Sequence, residues 1–175
     1  MALIDNVQSF LKNKLEKTNL KSKILAQKIQ IPYPTFNKLI NVVQLNPELV
    51  TLIKIAQYFN CTIDEIIGRV DYYIATQDYK FNDISLEQIN LNLRNFIASK
   101  LQQYNLNPYK LGRKIGFSEH PIAEFIQENS QRKRLSTAVI VALADYFKIS
   151  IDEMIGRISP QNHEESKDKM ALEID

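Results

Sequence analysis

The chain holds one cysteine, two histidines, four glycines and no tryptophan in 175 residues. A single Cys61 forbids an internal disulfide framework, and with only His120 and His163 beside it no thiolate or imidazole cluster for a structural metal can be assembled. Few glycines, with 45% hydrophobic and 24% charged residues, argue against a fibrous or disordered chain and for a globular helical one. Long apolar runs are missing too. The longest, Ala138 to Ala144, is far short of the roughly 20 residues a membrane helix needs. The opening MALIDNVQSF lacks a basic segment followed by an apolar core, so the expected location is cytoplasmic, with no membrane partner. Catalytic equipment is lacking as well: no glycine-rich phosphate loop occurs, and no nucleophile has a matching base. Asp64-Glu65 and Asp152-Glu153 fall in first helical turns, where the dipole favours carboxylates. The expectation is a non-enzyme with no cofactor and no small-molecule ligand.

Net charge is only +2, so its distribution carries more than its sum. Residues 1–70 hold 9 basic and 5 acidic side chains, residues 88–158 hold 10 and 6, and the stretches 71–87 and 159–175 are each −3. Two mildly basic bodies are thus separated, and followed, by acidic segments.

The same two bodies repeat one pattern. Leu3, Val7, Phe10, Leu11 and Leu15 answer to Ile89, Leu93, Phe96, Ile97 and Leu101 at an offset of 86, all on one helical stripe. Leu20, Leu25, Lys28 and Ile29 match Leu106, Leu111, Lys114 and Ile115 at that offset; after residue 41 it becomes 88, and Ala56, Tyr58, Phe59 and IDEIIGR match Ala144, Tyr146, Phe147 and IDEMIGR. Each copy reads as five helices, with breaks at Asn19, Pro32, Pro47 and Cys61, then at Asn105, Ser118, Leu135 and Ser150. Gly68 and Gly156 close the fifth helix, and Ser85 with Gln88 reads as a capping box. The expected organisation is domain 1 over 1–70, a Tyr-rich linker over 71–84, domain 2 over 85–158, and a polar, disordered tail over 159–175. The linker, VDYYIATQDYKFND, is too apolar for a plain tether and is expected to pack on a domain or form a strand.

The stretch LKSKILAQKIQIPYPTFNKLI, followed by NPELVTLIKIAQYFNCTIDEIIG, resembles the xenobiotic-response-element family of helix-turn-helix proteins, Cro-like and lambda-repressor-like. The second copy fits as LNPYKLGRKIGFSEHPIAEFI with IVALADYFKISIDEMIG. The resemblance implies an all-α fold of two tandem five-helix lambda-repressor-like helix-turn-helix domains. It also implies a sequence-specific regulator of transcription, a repressor, with double-stranded DNA as partner. Small Ala26 and Gly112 suit the close crossing of helices two and three. Gly116 suits a positive-φ turn, where Gln30 costs about 1 kcal/mol.

By that resemblance, helix three of domain 1 places Tyr33, Pro34, Thr35, Asn37 and Lys38 where the family meets DNA. Asn can pair bidentately with adenine, and lysine can reach guanine or phosphate; against this stands a plain solvated helix face. Domain 2 places Glu119, His120 and Ala123 there, with Glu124, and follows them with the basic triplet Arg132, Lys133 and Arg134. Two carboxylates facing a groove would repel phosphate. Val42, Val43 and Leu45, where the family usually has a polar loop, point with Tyr72 and Tyr73 to a protein interface and leave room for a homodimer. The alternative reading is therefore a helix-turn-helix-derived interaction or dimerisation module with DNA readout lost in one or both copies.

Overall fold

The computed structural model describes residues 3–72, 81–127, 129 and 134–158. The linker residues Tyr73 and Tyr79, the loop residues Arg132 and Lys133, and the tail 159–175 lie outside the described residues. Two compact units divide the chain, Met1–Tyr79 and Lys80–Asp175. Among the described residues all regular structure is helical, and no helix is long and apolar enough to cross a membrane.

The first unit runs α1 (Leu3–Thr18), α2 (Ser22–Ile29), α3 (Tyr33–Ile40), α4 (Leu49–Phe59) and α5 (Ile63–Ile67), then a short 3-10 turn, Val70–Tyr72. α1 packs on α3 and α5, α2 on α3 and α4, and α4 on α5. Leu11, Leu25, Phe36, Leu39, Leu52, Ile55, Ile63 and Ile66 are fully buried between them. Each such side chain contributes about 1.5–3 kcal/mol by leaving water, which makes a core modest in size but continuous. The α1 stripe is centred on Ile4, Val7 and Leu11, with Leu3, Phe10 and Leu15 half-buried along its margin. Cys61 is buried beside α5 and forms no disulfide, in the place of a small hydrophobe.

The second unit runs α6 (Leu86–Gln103), α7 (Pro108–Lys114), α8 (His120–Ile126), α9 (Thr137–Phe147) and α10 (Ile151–Ile155). Its helix starts follow from local chemistry: Ser85, Asn107, Ser136 and Ser150 each accept a hydrogen bond from the backbone N–H three residues on, relieving one orphan donor per helix. The expected capping box at Ser85 is half formed. Gln88 N–H donates to Ser85 Oγ at 3.2 Å, but the Gln88 side chain turns forward to Asn92 Oδ1 at 2.8 Å.

Three devices recur in both units. Asn6 Nδ2 donates to the carbonyl of Ile67 at 2.7 Å and Asn92 Nδ2 to that of Ile155 at 2.8 Å, so the first helix caps the C-terminus of the fifth. Gly68 and Gly156 follow at φ 81 and 85, and a Cβ on either would collide with that same asparagine. Next, Asp64 pairs with Arg69 and Asp152 with Arg157; both Asp152 and Arg157 are wholly buried. Finally, Phe10 and Phe59 meet edge to face under Lys14, as Phe96 and Phe147 do under Lys100.

The units differ in what covers the paired arginine. Arg69 lies over the Tyr72 ring at 4.2 Å, whereas Arg157 lies over Phe81 at 4.6 Å. Asn82 fastens this stretch by donating its N–H to Arg157 O at 2.9 Å and its side-chain amide to Gly156 O at 3.1 Å. The linker therefore packs at both described ends, through Tyr72 on the first unit and Phe81–Asn82 on the second.

Candidate nucleic-acid interface

α2 closes on Gln30, held left-handed at φ 61. Two contacts steady that unfavourable residue: Ile31 N–H donates to Ala26 O at 3.0 Å, and Lys54 Nζ reaches across from α4 to Gln30 O at 2.9 Å. Ala26 and Ile31 are buried, so the turn is pinned from inside while its polar edge faces out. Pro32 then stands in extended conformation as the residue before α3, and Pro34 sits in the first turn, where a missing N–H leaves no gap in the ladder.

α3 buries one face and turns the other to solvent. Phe36 and Leu39 are fully buried, leaving Tyr33, Pro34, Asn37 and Lys38 exposed and Thr35 half-buried. At its far end Gln8 of α1 donates to Ile40 O, tying the helix to the core. Asn37 is already engaged, because Oδ1 accepts from Asn41 Nδ2 at 3.0 Å and the backbone oxygen accepts from the same amide at 2.9 Å. Bidentate pairing with adenine, as the resemblance implies for Asn37, therefore requires Asn41, a residue the sequence reading did not name for this role, to share or release that oxygen.

Beyond α3 the chain reverses through Val42 at φ 57, with Val43 N–H donating to Lys38 O at 2.9 Å. A β-branched residue in that region is strained. Val42 is half-buried, while Val43 and Leu45 are 66% and 72% exposed.

Charge sharpens the contrast between the units. Residues 17–47 contain Lys17, Lys21, Lys23, Lys28 and Lys38 and no acidic side chain, whereas the matching stretch 103–135 contains Lys110, Arg113, Lys114, Arg132, Lys133 and Arg134 with Glu119, Glu124 and Glu128. Lys21, Lys23, Lys28 and Lys38 are all exposed. This one-signed segment lies between Glu16 and Glu48.

In the second unit the α7–α8 turn is closer. Gly116 stands at φ 80, and a Cβ on Gly112 would lie 2.8 Å from Ser118 O. Arg113 Nε meets Glu119 Oε1 at 2.9 Å, both side chains exposed to solvent. His120 is exposed and packs edge-on to Tyr109, the ring centres 6.1 Å apart. Ala123 corrects the sequence expectation: it is 5% exposed, on the inner side of α8 with Ile122 and Phe125, and has almost no surface to offer a base. Glu124 is half-buried and Arg134 exposed. Arg94 Nε caps Phe125 O at 2.9 Å, the counterpart of Gln8 on α3.

A family model described as a Cro/C1-type HTH DNA-binding domain matches residues 11–71. An HTH-type transcriptional regulator of Rickettsia prowazekii (strain Madrid E) is 44% identical over 72 residues, which cover 39% of this chain and 78% of that protein. Another, of Rickettsia conorii (strain ATCC VR-613 / Malish 7), is 43% identical over 72 residues, 39% of this chain and 66% of its own length. No solved structure matches the chain.

Proposed function

The chain belongs to the Cro/C1-type helix-turn-helix family, and from that premise we propose that it is a sequence-specific regulator of transcription, a repressor, that reads duplex DNA chiefly through α3 of the first unit. One observation carries the reading. The exposed face of α3, bearing Tyr33, Asn37 and Lys38, lies within a 31-residue segment, 17–47, whose charged side chains are all lysine. Exposed lysines attract phosphate, and the polar tips on α3 supply what a base edge can recognise.

The second unit enters this proposal as a tandem copy of the same domain, spanning 85–158. Its support is the repeated order of five helices, with the Asn–carbonyl cap, the buried Asp–Arg pair and the ring–lysine cluster at matching positions. Because the two outward helices carry different residues, the operator is asymmetric, with half-sites about one helical turn apart.

Titration of duplex binding against salt tests the reading. Log affinity is expected to fall linearly with log salt, by about 0.9 per phosphate neutralised, and Lys38→Ala to flatten that slope by about one unit. If neither random nor selected duplex binds at low salt, the proposal fails. The exposed Val43 and Leu45 favour a second reading, in which this loop meets another protein or a second copy of the chain. Dissociation on Leu45→Lys, followed by sedimentation, would identify that contact.

A further inference from the structure

We infer that Arg113 is a positioning residue that cancels the charge of Glu119 and so lets the α7–α8 face of the second unit lie against duplex DNA. The inference rests on the proposed reading of that unit as a DNA-binding copy.

The starting point is an apparent defect. At the offset that relates the copies, Glu119 stands where the first unit has Tyr33, and Arg113 stands where it has Gln27. A carboxylate at that place, with the half-buried Glu124 further along α8, would meet phosphate with like charge. Yet the acid and the base occur together: the first unit has neither, the second has both, and they touch at 2.9 Å. Glu119 is not spent on capping α8, for it lies in helical conformation and its side chain makes no capping bond. Its oxygen is given to the guanidinium instead.

Local backbone holds the pair in register. Arg113 sits in the last turn of α7 and Glu119 immediately before α8. The turn between them leaves little slack, with Gly112 against Ser118 O and Phe117 N–H donating to Gly112 O at 3.0 Å. His120, the next residue, is steadied by Tyr109. With Glu119 neutralised, the exposed cations near the turn, Lys110 and Lys114, outnumber the one remaining carboxylate of α8, the half-buried Glu124. As an exposed ion pair, Arg113–Glu119 adds little to folding, so its substitution reports on binding rather than on stability.

The test is a double-mutant cycle in the full chain, read as duplex affinity at low salt with thermal melting as the folding control. Arg113→Ala is expected to weaken binding about fivefold, the effect of one like-charge contact across water. In a Glu119→Gln background the same change is expected to cost less than twofold, and Arg113→Lys, which keeps the charge, is expected to retain most affinity. An equal loss in both backgrounds means Arg113 grips phosphate itself, and overturns the inference. So does an Arg113→Ala chain that binds as the unaltered chain does. Absence of duplex binding by the unaltered chain overturns the DNA reading together with this inference, and so is distinguished from its separate failure.

Discussion

Replacing Gly156 by alanine separates two costs that the structure places at one residue. Gly156 closes α10 at φ 85, a region that charges an L-residue about 1–2 kcal/mol, part of which is returned because alanine has less freedom to lose on folding. Backbone strain alone therefore predicts a loss of about 1 kcal/mol. Gly116, in the same unit at φ 80, supplies that reference, since a Cβ there meets nothing within 4 Å. At Gly156 the new methyl would overlap Nδ2 of Asn92 and displace the amide from Ile155 O, which it holds at 2.8 Å. A part-buried carbonyl deprived of its donor costs about 1–3 kcal/mol more. Gly156→Ala should thus lose about 2–4 kcal/mol and Gly116→Ala about 1. With a urea m-value of about 1–3 kcal/mol per molar, the two midpoints should differ by about 1 M. In an Asn92→Ala background the extra cost has already been incurred, so Gly156→Ala should then cost no more than Gly116→Ala. Equal midpoints for the two glycine variants in the unaltered background would refute the capping role given to Asn92.

Three other outcomes are expected. Val42→Asn should raise the urea midpoint by about 0.5–1 kcal/mol in free energy, because asparagine tolerates the left-handed region that valine occupies there under strain. Asp152→Asn should destabilise by about 3 kcal/mol or more, since it takes the carboxylate from a guanidinium sealed from water; Asp64→Asn should cost less, Arg69 being 10% exposed. Differential scanning calorimetry ranks these two, and the reverse order would contradict the burial argument. Lys54→Met should loosen the α2–α3 turn by removing the donor to Gln30 O, lowering the melting temperature by a few degrees at a cost of about 1 kcal/mol.

Helix positions were legible because they depend on near neighbours. Ser85 and Ser150 cap where expected, and Gly68, Gly116 and Gly156 take positive φ where their lack of a Cβ is needed, while the breaks expected at Asn105 and Leu135 are capped by Asn107 and Ser136 and the one expected at Ser118 has Glu119 before its helix. The residues assigned to the DNA-facing side of α3 came from family resemblance, and the burial of Phe36 and Leu39 leaves Tyr33, Pro34, Asn37 and Lys38 exposed. What escaped depends on partners distant in sequence or on pairs read singly. Glu119 looked repulsive until Arg113 was found beside it, and Asn37 looked free until Asn41 was found on its oxygen. Ala123 suits either side of a helix by size, and only packing assigns it inward. Val42 gives no local sign of its backbone, since β-branched residues rarely adopt it.

Phe81 and Asn82 also decide where this chain can be shortened. A fragment begun at Ser85 would keep α6 to α10 complete, yet it would strip the ring from Arg157 and both donors of Asn82 from the carbonyls of Gly156 and Arg157. The last helix would then end on bare polar groups that the intact chain covers with residues written before the first. For this unit the natural scissors mark falls at Lys80, ahead of the strap, not at the start of its opening helix.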